Sequence, residues 1–269
     1  MKDDDWVGTN RKWWDERVPI HESGGFYDLE RFRANPDRLR SYEPDELGPV
    51  EGLDLVHLQC HIGLDTLSWA RRGARVVGYD FSEPATEVGR RLAEELRIDA
   101  EFATGDVYDA VEVLGGRTFD VVYTGIGALS WLPDIQAWGE VVANLLRPGG
   151  VAYVVEIHPL LWVMDDAEPT VRWDYFSPLV SDDASGTYAD RSAPTTNNRV
   201  FERNPGIGPV VSALLRAGLV VELLHEHDIG VEQMWPFMVR SEIDGTWRIP
   251  PDRPNLPLTW SLRMRKHQR

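Results

Sequence analysis

The chain has 269 residues, of which 42% are hydrophobic and 27% are charged, a composition typical of a folded globular protein with a sizeable core. Its formal net charge of −16 and its pI of about 4.8 argue against unassisted binding to nucleic acid or to an anionic membrane. No apolar run approaches the length of a membrane span. Nucleic acid and membranes are therefore not expected as partners.

The single cysteine, Cys60, excludes an intramolecular disulfide and fits a reducing compartment. The N-terminal sequence MKDDDWVGTN lacks the apolar core of a signal peptide, so a cytoplasmic location is predicted. No His, Cys and carboxylate spacing typical of zinc occurs, and no metal is expected. The oligomeric state is left open between a monomer and a homodimer.

One short stretch has the layout of a nucleotide-binding unit. Leu53–Leu58 is an apolar run, Gln59–Gly63 is a tight turn, and Leu64–Arg72 has the spacing of an amphipathic helix. A second apolar run, Ala74–Tyr79, ends at Asp80. This order of strand, turn, helix, strand and acid predicts a crevice in which the turn and the helix N-terminus face a ligand. The acid would accept hydrogen bonds from ribose hydroxyls.

Alternating helices and strands continue through the middle of the chain. Ser82 and Asp134 are good N-caps, and apolar residues three and four apart follow each of them, which predicts two helices. Further strands are predicted at 100–104, 119–124 and 151–157. The alternation is typical of a parallel sheet covered by helices.

The two ends of the chain depart from this pattern. Residues 1–50 are polar and aromatic, with a short helix that Pro19 ends, and are interpreted as an extension over the sheet. Residues 160–205 mix aromatic and polar side chains and are interpreted as a cap, because a structureless loop of that length is improbable in a compact domain. Strands at 219–227 and 258–265 have no good helix between them, which predicts an antiparallel last strand.

The predicted fold class is α/β, a Rossmann-like, mostly parallel sheet of seven strands with an antiparallel last strand and helices on both faces. An N-terminal extension and a cap insertion complete it. The whole chain is assigned to one domain, 1–269, with an extension (1–50), a cofactor-binding core (51–158), a cap (159–205) and the C-terminal part of the sheet (206–269).

Four sequence signatures support a family resemblance. They are the turn Gln59–Gly63, the sequence Gly78–Ser82, the sequence Gly105–Val107, and the sequence Asp120–Thr124 together with Leu145–Gly150. Each signature alone is weak, but their order and spacing together resemble the class I S-adenosylmethionine-dependent methyltransferases. The resemblance covers residues 50–158 and, in topology, 205–267.

The turn departs from the pattern of that family, which has three glycines spaced G-x-G-x-G after an acid. Here those glycine positions hold Gln59, His61 and Gly63, and His57 stands in the place of the acid. Gln59 and His61 must therefore keep negative φ or accept backbone strain. The turn LQCHIGLDTL is similar to that of a subgroup of small-molecule methyltransferases.

The resemblance implies S-adenosylmethionine as the cofactor and S-adenosylhomocysteine as its product. It implies a cofactor site made of Gln59, Cys60, His61, Gly63, Asp80, Phe81, Ser82, Gly105, Asp106, Val107, Thr124 and Gly125. Asp80 would bind the ribose hydroxyls, Asp106 would accept from the adenine amino group, and Thr124 and Gly125 would lie beside the sulfonium.

Methyl transfer requires alignment of the reacting atoms and exclusion of water, and a base helps when the acceptor is a hydroxyl. His158, at the end of the fifth strand, is predicted to be that base or a substrate contact. The alternative is a hydrogen-bonded histidine at a strand end. His21 and Tyr27 reach the site if the extension folds over it.

We therefore predict an enzyme that transfers a methyl group from S-adenosylmethionine to the oxygen or nitrogen of a small organic acceptor by in-line displacement. Two alternatives remain open at this point. An NAD(P)-dependent oxidoreductase would share the first βαβ unit and Asp80, but the missing glycines weaken this reading. A non-catalytic protein that binds a nucleotide-like ligand is the other.

Overall fold

The structure, a computed structural model, describes residues 5–35, 37–177 and 179–268. The strands are β1 (Asp54–Leu58), β2 (Arg75–Asp80), β3 (Ala100–Thr104), β4 (Phe119–Thr124), β5 (Leu146–Ile157), β6 (Leu179–Ser181), β7 (Val200–Glu202), β8 (Leu219–His227), β9 (Val239–Arg240), β10 (Trp247–Arg248) and β11 (Thr259–Lys266). The α-helices are α1 (Trp6–Ser23), α2 (Leu29–Ala34), α3 (Tyr42–Leu47), α4 (Leu64–Arg71), α5 (Glu83–Leu96), α6 (Ala110–Val113), α7 (Ile135–Leu145) and α8 (Ile207–Arg216). Within the described ranges, no helix combines the length and apolarity needed to cross a membrane.

The main sheet has seven strands in the order β3-β2-β1-β4-β5-β11-β8. Strand β1 pairs in parallel with β2 and β4, whereas β11 runs antiparallel to both β5 and β8. The predicted fold class is therefore confirmed. The strand order reverses between β1 and β4, and the crevice of such a sheet lies at the carboxyl ends of the strands at this reversal.

Alternating side chains of the central strands enter cores on both faces of the sheet. On β1, Leu55 packs with Trp69 of α4 on one face, while Val56 packs with Trp138 of α7 on the other. All four side chains are completely buried. Helices on both faces are what a parallel sheet requires, because its strands have no polar face to expose to water.

Phe102 of β3 fills a space that three glycines leave open. Ideal Cβ atoms on Gly63, Gly78 and Gly89 would lie 2.4, 2.6 and 2.6 Å from its ring. These glycines belong to the turn after β1, to β2 and to α5. One ring thereby joins the sheet, a covering helix and the turn.

The first helix is longer than predicted. It spans Trp6–Ser23, and the side chain of Asp5 caps it by accepting from the backbone N–H of Gly8 at 2.9 Å. The prediction that Pro19 ends the helix is wrong. Proline removes one backbone donor, but His21, beyond the proline, is fully buried against the turn after β1, and this packing favours continuation of the helix.

The segment 159–205 contains the two-stranded antiparallel sheet β6–β7 and is bound to α1. The buried guanidinium of Arg17 donates to the carbonyls of Ala184 and Gly186 at 2.7 and 2.8 Å. Asn10 exchanges two hydrogen bonds with the backbone of Phe201, at 2.8 and 2.9 Å. We call residues 5–28 and 159–205 together the cover.

Candidate active site

The turn after β1 has an unusual backbone. Gln59 and His61 adopt φ of 58° and 49°, and Gly63 adopts 77°. The sequence left two options for Gln59 and His61, a negative φ or a strained backbone. The structure shows the strained backbone at both residues. A left-handed conformation costs a residue other than glycine about 1–2 kcal/mol, so neighbouring contacts must offset about 2–4 kcal/mol in this turn.

Side-chain and backbone hydrogen bonds hold the turn in that conformation. Gln59 Nε2 donates to the carbonyl of Ala128 at 2.7 Å, and the backbone N–H of His61 donates to Asp80 Oδ2 at 2.8 Å. The imidazoles of His61 and His21 share a hydrogen bond of 2.8 Å between Nε2 and Nδ1. The non-glycine residues are therefore anchored from β2, from α1 and from the loop after β4.

Asp80 links the two halves of the opening βαβ unit. Its side chain accepts from the backbone N–H groups of His61 and Ser82, at 2.8 and 2.9 Å. Burial raises the pKa of Asp80 to about 6. An ionised carboxylate has four lone-pair positions, so two accepted bonds leave capacity for a ligand.

A cavity of about 450 Å³ lies at the carboxyl ends of β1 to β4, within the size range of small-molecule sites. Ten of the predicted cofactor residues line it: Gln59, Cys60, His61, Asp80, Phe81, Ser82, Gly105, Asp106, Val107 and Gly125. We call this wall the strand edge. The other two, Gly63 and Thr124, are not on the wall. Gly63 faces the ring of Phe102, and Thr124 is buried in β4.

The polar groups of the strand edge suit a nucleoside joined to an amino acid. Gln59 Oε1 is buried without a hydrogen-bond partner among the described residues, so it is free to accept from an ammonium group. Asp106 Oδ1 accepts from the backbone N–H of Tyr108 at 3.1 Å and keeps further acceptor capacity. Burial raises the pKa of Asp106. Together with Asp80, these acceptors match the hydroxyl and amino groups of S-adenosylmethionine.

The opposite wall of the cavity belongs mainly to the cover and is aromatic. Its aromatic residues include Trp13, Trp14, Phe26, Tyr27, Trp162 and Tyr188. The hydroxyls of Tyr27 and Tyr188 are hydrogen-bonded to each other. Trp14 meets the imidazole of His61 edge-on, with ring centroids 5.0 Å apart. The cover thus contacts the turn after β1 directly.

The three predicted catalytic residues have different surroundings. Tyr27 lies on the cavity wall, where burial raises the pKa of its phenol above the usual value. His21 lies behind that wall, fully buried, and burial lowers its pKa to about 4. It is therefore neutral at pH 7 and positions His61 through their shared hydrogen bond.

The structure does not bring His158 to the cavity wall. Its Nε2 pairs with Glu226 Oε1 at 2.9 Å, and its Nδ1 accepts from the backbone N–H of Leu160 at 3.2 Å. Both ring nitrogens are thus engaged away from the crevice. These contacts match the alternative of a hydrogen-bonded histidine at a strand end, and the role of His158 as a base or substrate contact stays a prediction.

Sequence reasoning missed Glu202, the last residue of β7. Its side chain lines the cavity, and no described residue donates a hydrogen bond to it or forms an ion pair with it. Burial raises its pKa to about 7. The following residue, Arg203, donates its backbone N–H to the carbonyl of Ser130 at 2.9 Å, which places Glu202 beside the loop after β4.

Glu156 of β5 positions that same loop. Its carboxylate accepts from the backbone N–H groups of Gly127 and Leu129 at 2.6 and 2.9 Å. The side chain is buried, which raises its pKa to about 7. The only signal in the sequence was an acid at the end of an otherwise apolar strand.

Comparisons with known proteins agree with this geometry. Residues 56–152 match the family described as a methyltransferase domain. A ubiquinone biosynthesis O-methyltransferase of Mesorhizobium japonicum is 29% identical over 214 residues, which cover 69% of this chain and 81% of the relative. A crystal structure of an S-adenosylmethionine-dependent methyltransferase from Mesorhizobium loti has a TM-score of 0.55 at 21% identity, covering 82% of this chain and 94% of that one. The structure of DhpI with S-adenosylhomocysteine has a TM-score of 0.57 at 17% identity, covering 98% of both chains. The two structures establish the shared fold.

The fold and the strand edge therefore define a methyltransferase of the Rossmann-like type. The methyltransferase-domain match, the O-methyltransferase relatives and the shared fold support a class I S-adenosylmethionine-dependent methyltransferase, as the four signatures predicted. It is an enzyme that transfers a methyl group from S-adenosylmethionine to a small-molecule acceptor. Its membership of the subgroup with the LQCHxGxDTL turn stays a prediction.

Proposed function

We propose that this enzyme methylates a hydroxyl oxygen of a small, largely apolar acceptor, and that Glu202 accepts the hydroxyl proton. The observation that carries the proposal is the cavity itself. A strand edge suited to a nucleoside faces an aromatic wall that contains the half-buried carboxylate of Glu202, to which no described residue gives a hydrogen bond or an ion pair. The similarity to ubiquinone biosynthesis O-methyltransferases supports oxygen as the methylated atom.

We propose these cofactor contacts. Asp80 binds the ribose hydroxyls, and Asp106 accepts from the adenine amino group. Gln59 Oε1 and the backbone of the turn face the amino-acid end, while Gly125 borders the sulfonium. When bound, S-adenosylmethionine supplies a methyl group on a good leaving group, so the protein mainly has to align the acceptor and exclude water.

The cover completes this task from the other side. Trp13 and Trp14 of α1 and Tyr188 of the segment 159–205 give flat apolar surfaces against which an aromatic or aliphatic acceptor packs. Glu202 lies on the same wall. A carboxylate with a pKa of about 7 is half ionised at neutral pH, which is the range where a general base is most effective.

We also propose a cytoplasmic enzyme that acts as a monomer or homodimer without nucleic acid or a membrane. The net charge of −16 supports the absence of polyanionic partners. Cys60, the single cysteine of the chain, is a free thiol whose burial raises its pKa, which suits a reducing compartment.

Isothermal titration calorimetry tests the cofactor assignment. The protein is titrated separately with S-adenosylhomocysteine, NAD and NADP. Binding of S-adenosylhomocysteine alone is the expected result. Clear binding of NAD without measurable binding of S-adenosylhomocysteine would overturn the proposal in favour of an oxidoreductase, and binding without turnover on any hydroxylated acceptor would favour a non-catalytic protein.

A further inference from the structure

A second cavity, of about 310 Å³, lies beside the first. It is enclosed by residues near α2 and by the β9–β10 hairpin. Phe26, Arg38, Arg40 and Val231 line both cavities. The two cavities therefore adjoin, and these four side chains stand between them.

Four arginines line the second cavity: Arg31, Arg38, Arg40 and Arg240. Arg40 is paired, with Glu43 at 3.3 Å and Asp65 at 3.6 Å. Across the ranges 5–35, 37–177 and 179–268, the other three form no ion pair with any residue. Three unpaired arginines at one place are unexpected in a chain with a net charge of −16.

Two of the three guanidinium groups without an ion pair, those of Arg31 and Arg240, lie close together. A Cβ atom built on Gly245 would lie 3.5 Å from Arg240 Nη2 and 3.6 Å from Arg31 Nη1, so both groups border the same small space. Arg38 lies between the two cavities, and burial and the nearby Arg40 lower its pKa. Arg31 and Arg240 are exposed, whereas Arg38 is partly removed from water, so its charge costs free energy unless an anion compensates it.

The acids of this cavity do not supply that compensation. Asp37 pairs with Arg72 at 2.7 Å, and Asp244 pairs with Arg248 at 2.8 Å, and neither of these arginines lines the cavity. The third acid, Asp28, caps α2 by accepting from the backbone N–H of Arg31 at 3.1 Å. We call Arg31, Arg38 and Arg240 the arginine pocket.

We infer that the arginine pocket binds an anionic group, a carboxylate or a phosphate, that belongs to the methyl acceptor, so that the acceptor spans both cavities. This inference rests on the proposed function, because it assigns the acceptor to the first cavity. The planar fork of a guanidinium binds carboxylate and phosphate oxygens in pairs. An acceptor without the anionic group leaves the charges uncompensated and binds more weakly.

The first experiment measures anion binding directly. Inorganic phosphate is titrated calorimetrically into enzyme saturated with S-adenosylhomocysteine. Binding is expected for the wild type and at least tenfold weaker for the double variant Arg31→Gln/Arg240→Gln, whose side chains are exposed at the cavity rim. Arg33→Gln is the matched control, since Arg33 lies on the same helix but pairs with Glu95 at 2.8 Å and does not line the cavity.

The second experiment asks whether the anion belongs to the acceptor. 4-Hydroxyphenylacetate and its neutral amide are titrated into the same saturated enzyme. The acid is expected to bind at least tenfold more tightly than the amide and to compete with phosphate, and the double variant is expected to lose this preference while Arg33→Gln keeps it.

Several outcomes overturn the inference. One is that phosphate binds neither to the free enzyme nor to the enzyme saturated with S-adenosylhomocysteine. Another is that phosphate binds to the free enzyme but not to the saturated enzyme, which would assign the arginines to the carboxylate of the cofactor. Phosphate binding without any preference for the acid over the amide would indicate a separate anion site. Failure of S-adenosylhomocysteine itself to bind would instead contradict the proposed function.

Discussion

The two walls of the main cavity are built in different ways. The strand edge consists of residues at the ends of neighbouring strands, and backbone N–H groups fix its central acid, Asp80. The cover consists of side chains from α1 and the segment 159–205, joined by bonds such as those of Arg17. The sheet fixes the geometry of the strand edge, which therefore suits S-adenosylmethionine, the cofactor common to these methyltransferases. The side chains of the cover can change without disturbing the sheet. We expect substitutions on the two walls to have separable effects.

The largest effect is expected from Gly63→Val, in the turn behind the strand edge. The new Cβ would overlap the ring of Phe102, and the residue has φ of 77°. Overpacking typically costs about 1–3 kcal/mol and a left-handed residue about 1–2 kcal/mol. The free energy of unfolding should therefore fall by about 2–5 kcal/mol, measured by denaturant unfolding.

A matched control separates the two causes. Gly116 also has positive φ, of 71°, but a Cβ there would meet no atom within 4 Å. Gly116→Val should therefore show the backbone cost alone. Equal losses of stability in the two variants would contradict the role assigned to Phe102.

On the cover, Glu202→Gln should lower kcat/KM by about 10²–10⁴, the usual contribution of a general base. The dissociation constant of S-adenosylhomocysteine should not change. In the wild type the carboxylate ionises as the pH rises through about 7, so kcat/KM should increase across that range and then level off. The variant should lose this rise, and a steady-state pH profile that keeps it would exclude Glu202 as the base.

At the strand edge, acid should weaken cofactor binding. The pKa of Asp80 lies at about 6, above its usual range, so the carboxylate is ionised above pH 6 and protonated below it. A protonated carboxyl has fewer acceptor positions for ribose hydroxyls. The affinity for S-adenosylhomocysteine should therefore fall by up to about tenfold per unit below pH 6, measured by calorimetry. In Asp80→Asn the affinity should be lower and independent of pH in this range.

The smallest effect is expected from His158→Ala, because that side chain belongs to neither wall. Its imidazole bonds Glu226 and the backbone of Leu160 instead. We expect kcat/KM to change by less than about twofold and the free energy of unfolding to fall by about 1–2 kcal/mol for the lost hydrogen bonds. A large loss of kcat/KM in a stably folded variant would restore His158 as a catalytic residue.

The same difference explains what the sequence could predict. Strand periodicity and the caps Ser82 and Asp134 are local signals, and both caps are present as expected, accepting from Ala85 and from Gln136 and Ala137. The strand edge follows from topology, because parallel strands end at one edge. Glu202 and Tyr188 reach the cavity only because their segment packs against α1, which is distant in the sequence. Such long-range packing produces no periodic pattern in the sequence.

One local prediction failed, and one question that the sequence left open was decided, for a related reason. Pro19 is a strong local signal for a helix end, yet the buried contacts of His21 outweigh it. Gln59 and His61 are poor candidates for left-handed backbone, yet bonds to Ala128 and Asp80 hold them there. In both cases contacts from distant segments override a local preference.

The ring of Phe102 has a consequence for how this chain can vary. Because the ring fills the space beside Gly63, Gly78 and Gly89 at once, a larger residue at any of the three requires a smaller one at 102. Substitutions at these four positions are therefore coupled, and the four residues should covary among relatives. A homologue that regained glycines at positions 59 and 61 would change its turn without touching these four positions, since neither residue contributes to the packing of the ring.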